Sequence, residues 1–329
     1  MERKSIKDTL SEASSTVKSI VDKTKGVLLD KKDAIVDKLD QNGDGEFDIT
    51  DIIILSFKSP GIRVNRDTFL RNELYKNHTQ ETIDEVIRST PMKAGISSQE
   101  IDKIANEVIN FERNCVTGIS TALGIPGGWA MAATIPADII QYYGYTLRAA
   151  QKLLYLYGFP EIVVPKNDLL LDTETINTII LCLGVMNGVA GANNAIKAMA
   201  KALAIGVEKK LLNTALTKGA FYPFVKAVMK WFGVRLTKAT FAGFFKKAIP
   251  MVGGVVGGGL TFLTFKPCCM RLRDVLSDTM LSNPDHISSV EEDTTVGVII
   301  TGDESFHEIQ EGVSGGAEKV EESTEDNCN

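Results

Sequence analysis

Three long stretches of this chain carry no formal charge: 24 residues from Asn114 to Ala137, 22 from Thr175 to Ile196 and 18 from Ala248 to Phe265. Apolar text of that length has to be covered, either by protein or by lipid. None of the three is a clean apolar 20-mer. The first is broken by Pro126, Pro136 and a run of glycine. The second holds Asn187, Asn193 and Asn194, whose amides would need partners in lipid. The third, IPMVGGVVGGGLTFLTFKP from Ile249 to Pro267, is glycine-rich and close to the lower length limit for a span. Its GGVVGGG is not a phosphate loop, because no Lys-Ser/Thr follows and no strand precedes it. Burial in protein, with affinity for a membrane surface, is favoured over true spans. Alternating Val/Ile/Thr runs bounded by two-residue turns are scarce, so the expected class is all-α, a helical bundle.

Charge divides the chain. From Asn283 to Asn329 there are 13 Asp/Glu and one Lys, which leaves a net +6 for residues 1–282 of a chain whose total is −6. The acidic segment has few large apolar residues and cannot offset its ordering entropy, so 283–329 reads as a disordered tail, interrupted by Val296 to Ile300. At the other end, Ile6, Leu10, Ala13, Val17 and Ile20 recur at helical spacing, making 1–27 an amphipathic helical arm. With nine Lys/Arg against seven Asp/Glu over residues 1–39, electrostatic attraction to anionic lipid there is small, and packing on the body or on a second copy is favoured. Residues 28–60 form a separate unit and 61–282 the body. In the body, Ser97 and Glu100 form a capping-box pattern, and Ile101, Ile104, Ala105, Val108 and Ile109 share a face up to Phe111 and Cys115.

Five Cys without C-x-x-C spacing and no charged-then-apolar leader at Met1 point to reduced thiols and a cytoplasmic location. Three scattered His leave no material for a His-based triad or zinc centre. No Lys/Arg cluster is interleaved with aromatics, so nucleic acid is not an expected partner.

One motif dictates a ligand. The text D40-Q-N42-G-D44-G45-E46-F47-D48-I-T-D51 matches the EF-hand calcium loop. A hard dication takes six to eight oxygens, supplied here by Asp40, Asn42, Asp44, the carbonyl of Glu46, Asp48 and Asp51. Gly45 sits at the sharp turn of position six and Phe47 at the apolar position eight. Leu28, Ile35, Val36 and Leu39 suit an entering helix, and Ile52 to Phe57 a leaving one. Position twelve is Asp51 instead of Glu, one methylene shorter, which lowers the coordination number and lets magnesium compete with calcium. The plain alternative is a solvated Asx-rich turn. No second loop exists in the chain, so a structural clip on the body is the expected role.

In the body, GIPGG at Gly124 to Gly128, IPAD at Ile135 to Asp138, LYLYG ending at Gly158, and IPMVGGVVGGG followed by TFKP together resemble the bacterial EcsC protein family. The resemblance covers roughly residues 100 to 280. It implies a helical, membrane-associated cytoplasmic protein, peripheral at the inner face of the membrane, with a membrane surface or a membrane protein as partner. That family has no settled reaction, so no catalytic residue is carried over.

Asp138, Gln141 and Arg148 are the polar residues of interest in the body. An Asp in apolar text needs a cation, hydrogen-bond donors or a raised pKa, and a structural pair with Arg148 or Lys197 is favoured over a catalytic acid. Tyr142, Tyr143 and Tyr145 read as core-edge aromatics, and Cys268-Cys269 as packing residues before redox or lipidation sites. The leading function is a divalent-cation-binding interaction or scaffold protein. Its rivals are an enzyme or lipid-handling protein with a cleft near Asp138, and an integral membrane protein.

Overall fold

The computed structural model describes residues 48–59, 61–124, 129–162, 171–207, 209–233 and 253–283, with Gln41 and Gly43; within 119–139, 209–211, 253–258 and at Leu260 it describes the backbone alone. The amphipathic arm, most of the acidic loop and the acidic tail lie outside these residues. Of the described residues 73% are helical and none is in a strand, so the fold is all-α.

Short polar residues start the helices where the sequence places them. Helix α1 (Ile49–Lys58) begins at Asp48, whose carboxylate accepts the N–H groups of Thr50 and Asp51, while Asp51 accepts the N–H of Asp48 at 2.9 Å. This reciprocal cap satisfies amides that have no partner inside the helix. Asn65 and Thr79 cap α2 (Arg66–Leu74) and α3 (Gln80–Arg88) in the same way. At α4 (Ser98–Gly124) only half of the expected capping box forms. The Ser97 hydroxyl accepts the Glu100 N–H at 3.3 Å, but the Glu100 carboxylate turns to His78 Nε2 at 2.9 Å. A tertiary partner has outcompeted the local one.

Helix α5 (Trp129–Leu156) runs through Pro136. It lies antiparallel to α4, with Tyr157 bonded to Asp102 and Lys152 to Glu112. After it come α6 (Thr173–Asn187), α7 (Ala192–Ala204), α8 (Lys209–Thr217), α9 over 222–233 and α10 (Gly253–Ser277). Helix α10 packs antiparallel to α4, with Arg273 bonded to Asn106 and Arg113 stacked on Phe262. It runs parallel to α5, with Tyr142 edge-on to Phe265 and Leu281 against Gly158.

The second uncharged stretch becomes α6, which is buried on every side from Ile179 to Met186. The amides that argued against lipid behave accordingly: Asn187 bonds the carbonyl of Leu183, while Asn193 and Asn194 sit exposed at the start of α7. A Cβ on Gly184 would come within 2.5 Å of Val228 and 3.0 Å of Ala192, so glycine there permits the close approach of α7 and α9.

The third stretch is less expected. Helix α10 passes through five glycines between Gly253 and Gly259 and through Pro267. Each glycine costs about 1 kcal/mol relative to alanine, and Pro267 removes the bond to the carbonyl of Leu263. Packing overrides propensity, because Phe265, Cys269, Leu272 and Leu276 recur on one face and are all buried. Among the described residues, no helix is long and apolar enough to cross a membrane.

Candidate functional site

Two polar centres stand out, and α1 links the first of them to α5. Of the six residues expected to ligate a cation, the structure describes Asp48 and Asp51; Asp40, Asn42, Asp44 and Glu46 lie outside the described residues. The Asp51 side chain is fully buried. One of its oxygens accepts the N–H of Gln41 at 2.6 Å, across the loop, and the other accepts the N–H of Asp48. Each carboxylate oxygen keeps a second lone pair. The residue at loop position twelve therefore ties the first residues of the loop to the first turn of α1. Gly43, at loop position four, has φ +76°, a left-handed conformation in which a side chain is strained. Lys58 bonds the Gln41 side chain from the far end of α1. Below the loop, Ile49, Ile52, Ile53 and Phe57 bury the helix, and the Ser56 hydroxyl donates to the carbonyl of Ile140 on α5 at 3.2 Å.

The second centre lies in the α4–α5 interface. Glu112 is fully buried and accepts from Lys152 Nζ at 2.6 Å and from Arg148 Nε at 3.1 Å. Its other oxygen is buried without a hydrogen-bond partner. The Lys152 ammonium also lies over the rings of Phe69 and Phe111. Nearby, burial raises the Glu73 carboxyl above its ordinary range against the opposing pull of Lys152. Sequence reading missed this centre, although a signal was present. Glu112 continues the register of Ala105, Val108 and Ile109 toward Val116, all buried, so an acid occupies the apolar stripe. The stripe was instead carried to Phe111, which is 55% exposed.

Arg148 thus pairs with Glu112, and Lys197 bonds Asp278 at 2.7 Å. The expected Asp138–Arg148 pair is ruled out by geometry. Both residues lie on the continuous helix α5, ten positions apart, which separates them by roughly 15 Å along its axis. The Asp138 side chain lies outside the described residues. Gln141 is half-buried, whereas the amide that organises α5 is Gln151, which bonds the carbonyl of Ile62 and the N–H of Val64. Two surface hollows, of about 460 and 360 Å³, flank α2; neither is lined by Asp138, Gln141 or Arg148.

The remaining chemistry is muted. Burial pushes the Cys182 thiol up to about 12, holds Cys269 well above its usual range and raises Cys268, so none of these is a ready thiolate. Burial also pushes Tyr143 up to about 12, and its ring packs edge-on against Phe232, a core-edge aromatic as expected. Among the described residues, no group of three His, Cys, Asp or Glu is placed to hold a metal. No protein-family model matches the chain, and searches of curated proteins and of solved structures return no match.

Proposed function

We propose that this chain is a divalent-cation-binding interaction protein of the EcsC type, without a catalytic centre of its own, that works at the cytoplasmic face of a membrane. The observation that carries the metal part is the buried Asp51 carboxylate, which joins Gln41 to Asp48 and so brings the two ends of an oxygen-rich loop together. Asp48 supports it as well, since position nine of such a loop caps the leaving helix, and Asp48 caps α1. Asp40, Asn42, Asp44, the carbonyl of Glu46, Asp48 and Asp51 would hold the ion, and the short Asp51 side chain lets magnesium compete with calcium. Loop and helix α1 form the helix-loop-helix unit, clipped to the body through Ser56 and the isoleucines of α1.

Calorimetric titration of the metal-free protein tests this. Calcium should bind with a measurable heat and magnesium more weakly, and Asp40→Ala should lower calcium affinity at least about tenfold. At free calcium about a hundred times its dissociation constant, stability should rise by about 2.7 kcal/mol. Equal heats from wild type and Asp40→Ala would remove the metal reading.

A further inference from the structure

The pairings among α4, α5 and α10 place the other two uncharged stretches at one end of the bundle. Arg113 on α4 meets Phe262 on α10, and Tyr142 on α5 meets Phe265. Beyond that level α4 continues for eleven residues to Gly124, and none of them is charged. Helix α5 begins at Trp129 and has no charge before Asp138, and α10 begins at Gly253 and has none before Lys266. All three helices therefore extend past a common level by roughly 13–16 Å of uncharged sequence. That is about half of a hydrocarbon core of about 30 Å, the depth of one leaflet.

At the base of this end, apolar and cationic groups are set side by side. Phe262 is 42% and Leu263 71% exposed, although they are consecutive large apolar residues. Arg113 stacks on the Phe262 ring at 4.1 Å, and Lys266 follows one turn along α10. The surrounding sequence has a single sign: between Lys209 and Arg273 there are twelve Lys/Arg and no Asp or Glu. An aromatic and aliphatic tip above a cationic collar matches the layering of an anionic bilayer surface, with acyl chains inside and phosphates at the edge.

We infer that the end of the bundle formed by α4, α5 and α10 inserts into one leaflet of an anionic lipid bilayer, with Phe262 and Leu263 in the interface and Arg113 and Lys266 on the lipid phosphates. The inference rests on the membrane-surface part of the function proposed above and names the surface that carries it. An acidic protein segment, such as the chain's own −12 tail, would satisfy the cations but would leave the uncharged helix ends uncovered, since that tail has few large apolar residues.

The test uses full-length protein and vesicles of phosphatidylcholine, with and without phosphatidylglycerol. Wild type should sediment with the anionic vesicles, and binding should weaken as salt rises. Phe262→Glu/Leu263→Glu should bind at least about tenfold more weakly with unchanged helicity and melting, because both side chains are exposed. Tyr75→Glu, an exposed aromatic on the far side of the bundle's polar face, should bind as wild type. With Trp231→Phe leaving Trp129 as the single tryptophan at the first position of α5, lipids brominated along the acyl chain should quench its emission. If wild type binds neither kind of vesicle, the membrane reading itself falls. If wild type binds but the double variant binds equally well and Trp129 is not quenched, membrane association stands and this surface is the wrong one.

Discussion

Helices α6 and α10 come from sequence of the same kind, long and without charge, yet they end in opposite settings. Leu181 on α6 is fully buried, with neighbours on every side. Leu263 on α10 is 71% exposed, two residues before the fully buried Phe265. An uncharged run states that something must cover it, and the position of its helix in the bundle decides what. Helix α6 lies inside, where protein covers it. Helix α10 is inside only along the stripe from Phe265 to Leu276, and its first turns pass the level at which charged neighbours stop.

The largest effect is expected beneath α10, at Glu112, whose charge is felt at the buried Cys269 thiol. Glu112→Ala leaves Lys152 buried without its anion and should cost about 3–5 kcal/mol in chemical denaturation. An unchanged midpoint would mean that solvent reaches the α4–α5 interface, and α10 would then not seal it. The same truncation on the two contrasted helices comes next. Leu181→Ala should cost about 2–5 kcal/mol by opening a cavity, whereas Leu263→Ala should stay within about 0.5 kcal/mol. Comparable losses at both positions would show that Leu263 is covered in solution and would erase the contrast.

The smallest effect concerns Glu73, about half-exposed beside the Lys152 network, whose pKa is raised by burial above the ordinary 4.5. A raised carboxyl binds its proton more tightly in the folded state. Glu73 therefore favours folding most below the unfolded value, and stability declines as pH rises from there through the raised folded value. Glu73→Gln should flatten that part of the stability-against-pH curve. A slope identical to wild type would place Glu73 in water, outside the influence of the buried pair.

Much of the local structure was legible in the residues. Asp48 caps α1 because a short carboxylate reaches the free amides of a first turn, whatever surrounds it. The stripe of Ile101, Ile104, Ala105, Val108 and Ile109 is buried because helical periodicity makes it a continuous face. Where reading failed, a tertiary partner had intervened. Glu100 left its capping box for His78, and Arg148 bonded Glu112 across an interface while Asp138 lay too far along the same helix. Phe111 and Glu112 exchanged their expected exposure because Arg148 and Lys152 offered the acid a place inside.

The order of residues by itself determined that this chain is helical, where several of its helices start, and that one acidic loop has the oxygens for a dication, because caps, periodicity and ligand spacing act within a dozen residues. Only the tertiary structure decided which uncharged helix is interior and which reaches the end of the bundle, and which acid is buried. Those outcomes depend on cations and apolar faces supplied from distant parts of the chain, and local spacing carries no record of them.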